Sequence, residues 1–154
     1  MTFKRFLGIA VLVCVACTTA LTQGTDPLVG TWKLNPEKSK GPYKSGTSVF
    51  EADADGVKGT VDLAAADGTA YHWTFAAKYD GKDNPVTGNN PFGDTIALTR
   101  VNPNTVKIRA KRGGKETVTQ TIVVAADGKT RTTTSKGKDD KGKPINGMSF
   151  YEKQ

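Results

Sequence analysis

The chain has 154 residues with a formal net charge of +7, 36% hydrophobic and 24% charged side chains, a length that suits one domain able to bury a core without metal or disulfide staples. Its two cysteines, Cys14 and Cys17, both fall in the first twenty residues, which excludes a disulfide framework for the rest. The positive excess is spread over a lysine-rich sequence and points to no particular partner.

Residues 1–20 divide into a basic tip with Lys4 and Arg5, an apolar run from Phe6 to Val15, and the small-residue tail Ala16-Cys17-Thr18-Thr19-Ala20. That layout predicts a secretory signal peptide, and the run is too short for a permanent membrane helix. A cut after Ala20, or nearly as well after Thr22, leaves 21–154 as one exported domain, periplasmic or extracellular, without a thiol. The competing reading is a lipobox, Cys14-Val15-Ala16-Cys17, in which Cys17 is lipidated and the protein is an outer-membrane lipoprotein. Ala16 suits it, but Cys14 stands where leucine is usual.

Beyond the leader no apolar spacing of three and four persists over ten residues, so helices are not expected. Strands are predicted near 28–35, 46–52, 57–63, 69–79, 84–87, 94–102, 105–112, 115–124, 129–136 and 144–153. Between them stand turn signals: Asp55-Gly56, Asp67-Gly68, Asp80-Gly81, Pro103-Asn104, Gly113-Gly114 and Asp127-Gly128. Alternation is clear in places. Val57, Gly59, Val61 and Leu63 face away from Lys58, Thr60 and Asp62, and Val106, Ile108 and Ala110 away from Lys107, Arg109 and Lys111. A meander of about eight to ten strands with one apolar face avoids exposed edges by curling until its first and last strands pair, so the expected fold is all-β, a single antiparallel up-and-down barrel.

Several residues stand out within this frame. Tyr71, Trp73, Phe75 and Tyr79 form an aromatic stripe opposite His72, Thr74 and Ala76, suited either to line a cavity or to fill the barrel. Arg100 follows Ile96 and Leu98 on alternate positions, and Arg131 interrupts a Thr-rich strand. An inward arginine would anchor a carboxylate or phosphate, although arginines of this kind more often sit at a barrel rim with the head in water. Gln120, on the face of Val118 and Ile122, is a further polar candidate. The candidate ligand-binding set is therefore Tyr71, Trp73, Phe75, Leu98, Arg100, Gln120 and Arg131.

Other features read more simply. His72 is the only histidine, and no serine or threonine stands in a recognisable elbow beside a base, so no catalytic set is assigned. Glu51, Asp53 and Asp55 imitate the spacing of a calcium loop but are better explained by a hairpin turn, and neither metal nor cofactor is expected. Lys107, Arg109, Lys111, Arg112 and Lys115 build a basic outer face. It lacks the interleaved aromatic side chains that nucleic-acid binding requires, and suits solvent or an anionic envelope surface.

The strand Val29-Gly30-Thr31-Trp32-Lys33-Leu34 resembles the first strand of the calycin superfamily, which comprises lipocalins, fatty-acid-binding proteins and avidins. The closing Phe150-Tyr151-Glu152-Lys153 is similar to the last strand of the fatty-acid-binding branch. The resemblance implies a barrel whose closed floor is sealed by Trp32, with Gly30 allowing close approach. It also implies a monomer that holds a small, mostly apolar or amphipathic molecule in the lumen without chemistry. The chain departs from these families in three ways. The stretch Asn35 to Gly46, with Pro36, Gly41 and Pro42, is too short and broken for the two helices of the fatty-acid-binding proteins. Ser149 stands where their carboxylate-binding arginine would be. The Thr-Asp-Tyr element of lipocalins is missing. The nearest description is a minimal bacterial-type lipocalin-like barrel.

Overall fold

A computed structural model describes residues 25–139 and 142–154. The predicted leader, its cut after Ala20 and the candidate anchor Cys17 lie outside the described residues.

Ten strands follow one another: β1 Gly30–Lys40, β2 Tyr43–Asp53, β3 Gly56–Ala65, β4 Ala70–Lys78, β5 Asn84–Gly88, β6 Thr95–Asn102, β7 Thr105–Arg112, β8 Lys115–Val124, β9 Thr130–Lys138 and β10 Pro144–Lys153. Each pairs antiparallel with its sequence neighbours, and β10 returns to β1 with Leu34 opposite Tyr151, so the sheet closes on itself. There is no helix among the described residues. Closure removes the free sheet edges that a ten-strand meander would otherwise expose.

Period-two burial follows the sequence pattern. Val57, Gly59, Val61 and Leu63 of β3 are buried while Lys58 and Asp62 are exposed, and β7 buries Val106, Ile108 and Ala110 between exposed Lys107 and Arg109. Register then gives the barrel two distinct ends. The start of β1, the β6–β7 turn and the end of β10 make a floor, whereas the β1–β2, β3–β4 and β5–β6 connections make a mouth.

Two details differ from expectation. The interrupted stretch after Asn35 is still strand: β1 runs through Pro36 to Lys40, and β2 begins at Tyr43. Proline is tolerated because the register against β10 shifts between Asn35 and Lys40, a bulge where no ladder N–H is required. Side chains take over the bonding there. The Lys38 N–H donates to Asn35 Oδ1, while the Ser39 hydroxyl donates to the Asn35 carbonyl and accepts from the Phe150 N–H. At the β2–β3 turn the positive φ falls on Ala54, at 47°, rather than on Gly56. Gly56 serves close approach instead, since a Cβ on it would lie 2.0 Å from the Ala77 carbonyl oxygen of β4.

Glycine also shapes the inner wall. A Cβ on Gly59 would lie 2.4 Å from the Phe75 ring, and one on Gly46 would lie 2.4 Å from Leu63 Cδ2. Large side chains of one strand therefore occupy volume that the neighbouring strand leaves vacant, which brings Phe75 into the lumen.

Candidate functional site

The floor is assembled first, because it determines what space remains. Trp32 is wholly buried, and its indole N–H donates to the Leu28 carbonyl at 2.8 Å, which satisfies its one polar atom inside the core. The Gly30 side of the floor is covered by Lys153: a Cβ on Gly30 would meet Lys153 Cε at 2.5 Å, and the ammonium lies 5.0 Å from the Trp32 ring centroid. Both motif residues thus have a structural role.

Beside Trp32 the segment before β1 is clamped to the barrel. Asp26 accepts from the Leu28 N–H at 2.9 Å, and its other oxygen accepts from both Tyr79 O–H and Arg100 Nη2. The Arg100 guanidinium lies 3.9 Å from the Tyr79 ring centroid and donates to the Pro103 carbonyl at 3.0 Å. Burial, followed by the bond to Asp26, pushes the Tyr79 phenol well above its ordinary pKa. Arg100 and Tyr79 therefore close the barrel end, and neither borders the lumen cavity.

Above the floor the lumen holds a cavity of about 60 Å³. Phe50, Trp73, Phe75, Ile96, Ile108 and Ile122 form much of its wall, and polar side chains of Ser48, Asn90, Gln120, Arg131 and Thr133 interrupt it. Four of the seven sequence candidates, Trp73, Phe75, Gln120 and Arg131, meet here. The other three lie elsewhere. Leu98 is wholly buried in the core without bordering the cavity, and Arg100 is in the floor clamp. Tyr71 sits at the mouth against Tyr43, with ring centroids 6.2 Å apart at 89°, and lines an outer groove of about 520 Å³.

Arg131 is the unusual member. Instead of reaching water at a rim it is 3% exposed, directly across the β9–β10 ladder from Tyr151. Its guanidinium carbon lies 3.9 Å from the Tyr151 ring centroid and 5.3 Å from those of Trp32 and Phe50. Nη1 donates to Thr133 Oγ1 at 2.8 Å, and Nε has no partner. No carboxylate pairs with it among the described residues. Burial pushes its pKa down to about 10, which leaves it a cation at neutral pH. Gln120 Nε2, in contrast, is engaged by Ser135 Oγ at 3.0 Å.

The mouth contains residues that the sequence did not single out. Between β5 and β6, Phe92 turns inward, is 8% exposed, and meets Trp73 edge-on at 6.2 Å and 84°. Asn90 Oδ1 accepts from the Phe92 N–H at 3.0 Å, Thr117 Oγ1 donates to the Phe92 carbonyl, and Arg112 Nη2 donates to the Asn90 carbonyl at 3.0 Å. A lone phenylalanine amid Asn-Asn-Pro-Phe-Gly-Asp was the available signal, since a loop of turn formers gains nothing from an apolar ring unless that ring is buried.

The outer wall carries the remaining charged candidates. His72 Nδ1 lies 2.7 Å from Asp62 Oδ1, with both side chains about 60% exposed, so the chain's only histidine stands outside the lumen. On the basic face Asp83 engages Lys111 at 2.6 Å and Arg109 at 3.9 Å. Asp53 and Asp55 pair with Lys58 and Lys78 on either side of the β2–β3 turn. Among the described residues no three His, Cys, Asp or Glu side chains are grouped to hold a metal ion. The lumen therefore offers donors, acceptors, a buried cation and apolar walls. No protein-family model matches the chain, and no curated protein matches its sequence.

Proposed function

We propose that this protein is an exported, lipocalin-like binding protein that holds a small, mostly apolar molecule in its barrel lumen and performs no chemistry on it. The observation that carries this reading is the cavity of about 60 Å³ inside the closed barrel, where aromatic and isoleucine side chains meet a few polar groups. Apolar walls with sparse, placed polar atoms are the usual composition of a small-molecule site. The calycin-like first and last strands and the closed ten-strand barrel agree with it, and the signal-peptide layout of residues 1–20 supports export.

The cavity bounds the occupant. One water needs at least about 10–15 Å³ of such space, so the volume corresponds to roughly four to six waters and suits a compact ligand rather than a long chain. Titrating 1-butanol into the purified protein tests the reading by methyl NMR. The Ile96, Ile108 and Ile122 methyl signals are expected to shift saturably, while those of the exposed Val101 and Val123 stay in place. If lumen methyls remain unmoved up to the solubility of the protein in the alcohol, the lumen is not a binding site.

A further inference from the structure

The lumen contains a positive charge that no carboxylate among the described residues balances. Arg131 is 3% exposed and lines the cavity, and its Nη1 donates to the neutral Thr133 hydroxyl. The faces of Tyr151, Trp32 and Phe50 surround it, yet Nε–H has no acceptor. Aromatic faces return part of the lost hydration of a cation, but they accept no in-plane N–H. A buried guanidinium with an unmet donor is costly, and its cost falls sharply when an anion supplies both the opposite charge and the missing acceptor.

The contrast with Arg100 shows what is missing. That guanidinium also stacks on a tyrosine, at 3.9 Å, and its charge is met by Asp26. Arg131 stacks on Tyr151 at the same 3.9 Å and lines the cavity, but no carboxylate pairs with it among the described residues.

We infer that the lumen takes a compact organic monoanion, a carboxylate on a short apolar chain, whose carboxylate pairs with the Arg131 guanidinium while its chain lies against the aromatic and isoleucine walls. The inference rests on the lumen-binding reading above and adds the charge and size of the ligand. One unbalanced positive charge matches one negative charge. Inorganic phosphate, a mixture of mono- and dianion at neutral pH, has no apolar part to lie against the walls and would carry several polar oxygens into apolar surroundings, where they are poorly solvated. The hydroxyls of Ser48, Thr133 and Ser149, which also line the cavity, can donate to the same carboxylate.

The test compares butanoate, 1-butanol and inorganic phosphate on the intact protein at neutral pH, reading the lumen isoleucine methyls together with the Arg131 side-chain Nε–H resonance. Butanoate is expected to bind roughly ten to a hundred times more tightly than 1-butanol, as a charge-assisted hydrogen bond provides, and to move the Nε–H signal. Phosphate is expected to leave that signal in place. In Arg131→Met the preference reverses: butanoate loses its advantage while 1-butanol still shifts the methyls. If 1-butanol binds wild type as well as butanoate does, the anion inference falls and lumen binding stands. Tighter binding of phosphate than of butanoate overturns the organic monoanion in favour of an inorganic one. Silence of the lumen methyls toward all three probes overturns the lumen reading itself. Should Arg131→Met fail to fold, the wild-type ranking and the Nε–H signal still decide.

Discussion

Two arginines lie on the inner side of this barrel and have opposite relations to their surroundings. Arg100, in the floor, is paired with Asp26, stacked on Tyr79 and bonded to the Pro103 carbonyl. Arg131, in the lumen, is more deeply buried, stacked on Tyr151 and bonded to the Thr133 hydroxyl, with no carboxylate paired to it among the described residues. Both interrupt strands of similar alternation, so their difference comes from what other strands and the segment before β1 place beside them. A satisfied inward arginine closes a barrel. An unsatisfied one is better suited to meet a ligand, because removing a paired charge exposes its partner whereas removing an unpaired one relieves the core.

The largest expected effect concerns the region that holds the floor together. Trp32→Ala removes a wholly buried indole and its 2.8 Å bond to Leu28, and is expected to cost about 3–5 kcal/mol in urea unfolding. A loss under about 1 kcal/mol would show that the floor collapses around the missing ring. Next, Asp26→Ala leaves Arg100 and Tyr79 without their shared acceptor at a position less than a quarter exposed, and about 1–3 kcal/mol should be lost. In a double-mutant cycle with Arg100→Met, most of that loss should be shared between the two positions.

Arg131→Met is the sharpest way to break the contrast. Replacing an uncompensated buried cation with an apolar chain of similar length should be neutral or stabilising by about 0–2 kcal/mol, opposite in sign to Arg100→Met. A loss of several kcal/mol would show that the aromatic faces alone satisfy Arg131. The pH dependence has a defined sign. Burial lowers the folded pKa to about 10, below the ordinary arginine value of the unfolded chain, so above about pH 10 the unfolded chain binds more protons than the folded one. Wild-type stability should therefore rise relative to Arg131→Met as pH increases above about 10, and unfolding of both proteins in parallel checks it. The smallest effect is expected outside the barrel. His72→Ala removes a hydrogen-bonded contact with Asp62 whose members are both about 60% exposed, and the unfolding midpoint should shift by no more than about 1 kcal/mol equivalent.

Much of the fold was legible because its signals are local. Asp67-Gly68, Asp80-Gly81 and Asp127-Gly128 place positive φ at Gly68, Gly81 and Gly128, where the strands reverse, and the alternation of Val57 to Leu63 states which side of β3 is buried. The continuation of β1 past Pro36 was less legible. It depends on a bulge whose backbone groups are satisfied by Asn35 and by the Ser39 hydroxyl, which binds Phe150 from the other end of the chain. The candidate site divided along the same line. Trp73 and Phe75 were recognisable from spacing along one strand, whereas Phe92 enters the lumen from a loop without periodicity, and Tyr79 lies just past the end of β4 and turns to the floor.

Sequence by itself determined that this chain makes an all-β meander, where most of its turns fall, and which face of β3, β4 and β7 is apolar. Those properties arise from residues within a few positions of one another, through period-two alternation and turn stereochemistry. Only the tertiary structure decided that Asp26 meets Arg100, that Phe92 meets Trp73, and that Arg131 meets three aromatic faces and, among the described residues, no acid. These encounters join residues far apart in the chain, and closure of the sheet determines which of them share an end of the barrel. An arginine's neighbours, rather than its place in a strand, therefore decide whether its charge is satisfied.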